Sequence, residues 1–355
     1  MSAPPTFTIR AARPKDLASL HQLSTHLNSV NLPNNRDYLA RLLDVSNQSF
    51  GGLLPAEERR YIFVAVEGSS GEIVGSSSII GKLGTSDSPY IFLDVIEEEK
   101  YSSSLDQHFR HLALRIGFSF DGPSELGGLV LDPKYRRHPA RLGRILSWVR
   151  FLFIACRREL FQAKLLAELL PPLEPDGTSH MWEAYGRRFC NMSYAEADSR
   201  SAQDKSFIRD LFPSGLVYAS LMNEQAQAVI GQVGPQTIGV ERMLRELGFR
   251  YAKRIDPFDG GPHYVANTDD VPAVADTRAL RARIATPAGT GSYGLVGRIR
   301  ADDSDFTAHP ACLSAEGNSL AIPPALAERL DIDEGDELWW LPRLQYPDAS
   351  LRPSK

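Results

Sequence analysis

The stretch from Ser124 to Cys156, SELGGLVLDPKYRRHPARLGRILSWVRFLFIAC, restricts the fold more than any other part of the chain. Its apolar run from Leu126 to Leu131 has the length of a strand. Asp132-Pro133 ends that run, because proline has no amide hydrogen for a ladder and restricts the residue before it. A basic turn from Lys134 to Arg141 follows, and then Leu142, Ile145, Leu146, Val149, Leu152 and Phe153 recur at helical spacing. A strand that leads through a basic, glycine-containing turn into a helix suits an anion. Free amides and the positive end of the helix dipole face the turn. A solvated helix start would carry the same residues, so the turn alone leaves both readings open.

Composition narrows the choice. The net charge is −5, yet Lys134, Arg136, Arg137, Arg141 and Arg144 lie within eleven positions. With no basic domain, nucleic acid is not an expected partner. Hydrophobic residues make up 43% of the 355, enough for a sizeable core and about two domains. No apolar run approaches the roughly 20 residues of a spanning helix, and MSAPPTFTIR has no apolar secretory core. No membrane association is expected. Three widely spaced cysteines argue against a disulfide framework or a zinc site and fit a reducing cytoplasm.

Along the chain, Phe7–Ala11 alternates as a strand, Pro14 opens a helix, and residues 36–47 form an amphipathic helix. Tyr61–Glu67 and residues 72–82 read as a hairpin around a glycine-rich turn, and residues 90–96 as a further strand. Residues 108–117 are apolar and fit helix or strand. Residues 164–170 read as a buried strand, 180–189, 204–211, 223–229 and 238–247 as helices, and 249–255 and 263–267 as strands. After a linker at 286–292, the tail shows short strand signals and one short helix at 323–330. Its IPPALAERLDIDEGDEL segment resembles swapped-hairpin DNA-binding modules, but it is acidic and lacks a basic arm.

Several motifs stand out beside the LDPKYRR turn: Ala167-Glu168, Trp182 with Gly186-Arg187-Arg188-Phe189, Gly231-Gln232-Val233 with Pro235-Gln236-Thr237, and Ile255-Asp256 with Phe258-Asp259-Gly260-Gly261-Pro262. On these residues the chain resembles GNAT-type N-acyltransferases and, within them, the arginine N-succinyltransferase family, from about Phe7 to Ala285. The resemblance implies an α+β fold, with a mixed sheet flanked by helices and a small β-rich C-terminal module. It implies a GNAT-like domain over 1–285 with helical additions at 175–245, then a linker and module over 286–355. It also implies a cytoplasmic enzyme that forms homo- or hetero-oligomers with a related subunit. No cofactor is bound permanently; acyl-CoA, with succinyl-CoA the expected ester, is a co-substrate. The acceptor is the α-amine of arginine or a related amino acid. Leu129 and Leu131 would contact CoA through the strand backbone, and Arg136, Arg137, Arg141 and Gly143 through the turn.

The chain departs from the family pattern at three places. Asn31-Leu32-Pro33 stands where relatives carry a Gly-rich TSLP loop. Two extra residues separate Arg137 from Gly143, and Arg141 replaces the first glycine of the turn. Gly234 replaces the histidine of IGQVHPQT, the family's proton donor.

Acyl transfer from a thioester needs a neutral amine, a donor for the oxyanion and a proton for the leaving thiolate. With Gly234 unable to supply a proton, the remaining candidates are His180, which precedes Trp182, and His263, which follows the FDGGP turn. His26, Tyr218 and Tyr264 are further options, and a lone histidine is often structural. Glu168, a carboxylate in an apolar strand, is a candidate base or ammonium ligand unless it is simply salt-bridged. Asp256 and Asp259 suit a guanidinium, although aspartate also caps turns. Gln232 and Gln236 could line the pocket. Two alternatives remain: a non-catalytic or regulatory subunit of a hetero-oligomeric acyltransferase, and an acyltransferase with altered donor and acceptor.

Overall fold

A computed structural model of the chain describes residues 6–25, 34–86, 88–201, 204–286, 291–300 and 305–342. His26 and the Asn31-Leu32-Pro33 loop lie outside the described residues. The chain forms two compact units: residues 1–81, 126–162 and 268–355 in the first, and 82–125 and 163–267 in the second.

The first unit begins with β1 (Phe7–Ala11), α1 (Leu17–Ser24), α2 (Arg36–Phe50), β2 (Arg60–Glu67) and β3 (Ile73–Ile80). Asn35 caps α2 by accepting the Tyr38 amide at 3.0 Å. The second unit then takes a long hairpin of β4 (Tyr90–Ser102) and β5 (Gln107–Ser119), in register from Tyr90↔Ser119 to Ser102↔Gln107. The segment 108–117, open to either reading in the sequence, is therefore strand. Next comes β6 (Ser124–Leu131), whose first two residues belong to the second unit and the rest to the first. It leads through the basic turn into α3 (Leu142–Cys156), which returns to the first unit. Residues 145–154 of α3 are all buried, and all but Ser147 and Arg150 of them are apolar.

The second unit resumes with β7 (Lys164–Glu168) and short helices α4 (His180–Ala184), α5 (Arg187–Cys190), α6 (Tyr194–Ser201) and α7 (Ser206–Leu211). The expected helix over 180–189 is split at Gly186, where a Cβ would lie 2.3 Å from the Trp182 ring. Then come β8 (Val217–Tyr218), α8 (Glu224–Val229), α9 (Ile238–Glu246), β9 (Arg250–Ile255) and β10 (Pro262–Asn267). Asn223 caps α8, accepting the Ala226 amide at 2.8 Å. Within this unit the strand order is β6-β7-β10-β9-β4-β5-β8. The β6–β7 pair is parallel and the others are antiparallel.

The first unit closes with α10 (Pro272–Ala275), β11 (Arg278–Ile284), β12 (Ser292–Ile299), β13 (Phe306–Glu316), β14 (Ser319–Ile322), α11 (Pro324–Leu330) and β15 (Glu337–Leu341). Its sheet runs β12-β15-β11-β14-β13-β1-β2-β3-β6, and β12 also pairs with β13. The last five strands therefore close into a barrel around Leu280, Val296, Leu320, Leu338 and Trp340. The β-rich module starts earlier than residue 286: β11 is one of its staves, parallel to β14 and antiparallel to β15. It also joins the N-terminal sheet, with β13 pairing β1 at Ile9↔Ala308. The architecture is the α+β arrangement expected from the sequence, a mixed sheet flanked by helices with a β-rich C-terminal part.

Candidate active site

The basic turn forms a concave surface. Leu131, Arg136, Arg137, Arg141, Gly143 and Arg144 line an open recess of about 490 Å³. Asp132 starts the turn by accepting the Lys134 amide at 2.8 Å. Arg137 and Arg141 both take left-handed backbones, φ 62° and 51°, a conformation that normally favours glycine. Arg141 is the N-cap of α3, so the helix starts from a left-handed residue that carries a cation. At Gly143 a Cβ would meet nothing within 4 Å, which leaves room above the first turn of the helix. Arg136, Arg137 and Arg141 are exposed, as an anion site requires.

Just upstream, β6 is interrupted by Gly128 at φ 58°. A Cβ there would lie 2.6 Å from Ser78 Oγ, so only glycine fits. A left-handed glycine in mid-strand re-aims the next peptide, that of Leu129. Leu129 and Leu131 are both partly accessible.

In the second unit, strand register builds a different site. His263 on β10 stands directly opposite Glu168 on β7, and directly opposed residues share a face. The ring of His263 is fully buried. Its Nδ1 lies 2.6 Å from the hydroxyl of Tyr90. Its Nε2 lies 3.4 Å from Glu168 Oε1 and has no hydrogen-bond partner. Burial, and then the nearby Arg254 cation, push the imidazole down to about 3, so it is neutral near pH 7. Burial holds the Tyr90 phenol protonated. Tyr90 can therefore donate to Nδ1 and leave the ring proton on Nε2, facing Glu168.

Acids crowd around this pair. Glu168 is raised well above the ordinary carboxylate range by burial, then by the charges of Glu125 and Asp256, with Lys205 opposing. Its side chain keeps 31% of its surface open, so its surroundings are a recess and not a sealed core. Asp198 is raised to about 6 by burial and by Asp256. Burial raises Asp256 too, against the amides of Phe258 and Asp259 that lower it. Burial and the Asp256 charge raise Asp259 well above the usual range. Ligand atoms of Glu168, Asp256 and His263 lie within 4.8 Å of one another. An ammonium entering there would meet the two carboxylates beside the His263 ring.

The turn that carries the aspartates is held from both ends. Asp256 Oδ1 accepts the amides of Phe258 and Asp259 at 2.7 and 3.2 Å, and Asp259 Oδ1 accepts the Gly261 amide at 2.7 Å. Ser179 caps α4 through the Trp182 amide and donates to the Phe258 carbonyl, both at 3.0 Å, while Trp182 stacks on Phe258. Each aspartate thus serves turn geometry with one oxygen while its charge adds to the recess.

Comparison with known proteins shows the family. The family described as arginine N-succinyltransferase beta subunit matches residues 7–273. The chain belongs to the arginine N-succinyltransferase family. It is 36% identical over 339 residues to the arginine N-succinyltransferase of Yersinia pseudotuberculosis, covering 93% of this chain and 96% of that one. It is 33% identical over 330 residues to arginine N-succinyltransferase subunit beta of Pseudomonas aeruginosa, covering 92% and 95%. The solved structure of arginine/ornithine succinyltransferase subunit AI from Pseudomonas aeruginosa superposes with a TM-score of 0.81 at 26% identity, covering 95% of this chain and 99% of that one.

Gly234, which the resemblance sets against a histidine, is hemmed in by backbone. Its amide donates to the Leu170 carbonyl at 2.8 Å, and a Cβ would lie 2.5 Å from the Pro171 carbonyl oxygen. Among the other candidates, His180 stands apart from the Glu168–His263 pair: its Nε2 lies 2.7 Å from Glu174 Oε1 at the surface. Tyr218 and Tyr264 donate to Glu98 and Glu241, each at 2.5 Å. Gln232 and Gln236 are exposed. Three residues of the recess were not singled out from sequence. Tyr90 gives no local signal. Glu125 is a charge in a strand run, and Asp198 lies in a polar helix.

Proposed function

We propose that this protein is an acyl-CoA-dependent N-acyltransferase that moves a succinyl group from CoA to the α-amine of arginine or a closely related amino acid. One observation carries the acceptor side of the reading: a recess of mutually repelling carboxylates beside a neutral, buried histidine. Such a recess favours a guanidinium or ammonium and gives its proton somewhere to go. On the donor side, the Arg137–Gly143 turn takes the CoA phosphates, and the Leu129 amide meets the thioester carbonyl oxygen.

In the reaction the acceptor ammonium gives a proton to the Glu168 carboxylate, which the Nε2–H of His263 faces. The free amine attacks the thioester carbon, the new C–N bond replaces the C–S bond, and the departing thiolate takes the proton shed by the amine nitrogen. Glu168 does the proton work with His263 orienting it, while Asp256 and Asp259 hold the acceptor's positive charge. His180 is not part of this assignment. The protein is proposed to act in the cytoplasm, with a related subunit as its partner. The test is amine-dependent release of free thiol from a panel of CoA esters. Stabilisation by CoA esters without release would favour the second reading, a non-catalytic subunit, which the bare Gly234 backbone supports.

A further inference from the structure

Arg150, in the middle of α3, is 2% exposed. Among the described residues no carboxylate pairs with it, and burial alone lowers its guanidinium, to about 10. A buried cation without a counter-ion is costly, and an apolar side chain of that volume would pack at lower cost. The guanidinium is nonetheless aimed. Nε donates to the Ser147 carbonyl at 3.2 Å and Nη2 to Ser147 Oγ at 3.0 Å, which holds the fork against its own helix. Nη1 is left to donate to the carbonyl of Gly127 at 3.3 Å. The next carbonyl, that of Gly128, accepts from Ser76 Oγ at 3.3 Å. The two carbonyls that flank the left-handed glycine of β6 are therefore each held by a side chain. The Gly128 carbonyl shares its peptide with the Leu129 amide, and Arg150 holds the peptide immediately before it.

We propose that Arg150 is a positioning residue for acyl transfer: it fixes the Gly127–Gly128 backbone so that the Leu129 amide meets the thioester carbonyl oxygen. It also supplies a positive field that no ground-state carboxylate cancels. An uncompensated cation stabilises negative charge that exists only in the transition state, and a donor fixed in advance needs no reorganisation when that charge appears. The proposal rests on the acyltransferase reading above.

The test compares wild type with Arg150→Met, which keeps bulk and loses the donor, and Arg150→Lys, which keeps the charge. Expected for Arg150→Met is a fall in kcat of about a hundredfold, with KM for acyl-CoA within about threefold of wild type. Arg150→Lys is expected to recover most of the loss. Infrared difference spectra of bound carbonyl-¹³C succinyl-CoA should show a lowered carbonyl stretch in wild type that returns toward the free value in Arg150→Met. A folded Arg150→Met with wild-type kcat and an unchanged stretch would overturn the proposal. So would a kcat loss matched by an equal loss of CoA affinity. If Arg150→Met does not fold, Ser147→Ala takes its place, since it keeps the guanidinium and removes the hydroxyl that aims it. A smaller kcat loss with CoA binding intact supports the proposal, and no loss overturns it. If wild type releases no thiol with any donor, the functional reading has failed, and the carbonyl stretch still tests Arg150 separately.

Discussion

Nε2 of His263 lies 3.4 Å from Oε1 of Glu168, across a register in which the two residues face each other on neighbouring antiparallel strands. The pair sets the Nε2–H of a neutral imidazole toward a carboxylate whose proton affinity is raised, so Glu168 is the member that can take up a proton.

Tyr90 sets which ring nitrogen of His263 carries the proton, through the 2.6 Å contact at Nδ1. Tyr90→Phe should lower kcat by about tenfold and leave KM for acyl-CoA unchanged. Steady-state kinetics with the acyl donor varied at saturating acceptor checks this. Unaltered kcat would show that the tautomer is set elsewhere.

Glu168→Gln should abolish most turnover yet stabilise the fold. The folded-state pKa of Glu168 lies above its ordinary 4.5. Below that value both folded and unfolded chains hold the proton and nothing is lost. As pH rises, the unfolded chain ionises first and stability drains away until the folded pKa is passed. Glutamine removes that drain. The variant should melt higher than wild type at pH 8 and no differently at pH 4. Melting curves at the two pH values decide it, and a loss of stability at pH 8 would contradict the assignment.

Arg141→Gly should separate stability from binding. Glycine relieves the φ of 51°, worth about 1 kcal/mol, and removes a phosphate ligand, worth about tenfold in CoA affinity. Calorimetric titration with CoA should show the weaker binding, and the difference should shrink at high salt. A variant that binds CoA as tightly as wild type would take Arg141 out of the turn's function.

Placing a histidine at position 234 should not supply a proton donor. Gly234→His drives a Cβ to 2.5 Å from the Pro171 carbonyl oxygen, so the segment must shift. A loss of at least about 2 kcal/mol is expected, with no gain in turnover. Denaturant unfolding and kinetics check both halves. A stable, faster enzyme would mean that the 170–171 backbone gives way readily.

The sequence showed the local parts of this site and hid their meeting. The strand–turn–helix segment was legible because its punctuation is local: Asp132-Pro133, a run of arginines, then helical periodicity. Glu168 was visible as a charge in an apolar strand. His180 and His263 looked alike, since each follows or precedes a family motif. Only pairing between distant strands puts His263 opposite Glu168 and leaves His180 on Glu174. Tyr90 had no signal, because its role comes entirely from tertiary packing. The barrel's first strand, β11, reads RALRARI and looked polar. Its parallel partner β14 lies beyond an intervening hairpin, and nothing local marks such a pairing.

The most direct measurement is product analysis by mass spectrometry of succinyl-CoA and L-arginine incubated with wild type and with His263→Ala. The account requires N-succinylarginine and free CoA in equal amounts from wild type, and at least about a hundredfold less from the variant. Equal product from both proteins, or CoA binding by wild type with no succinylated amine, would contradict it.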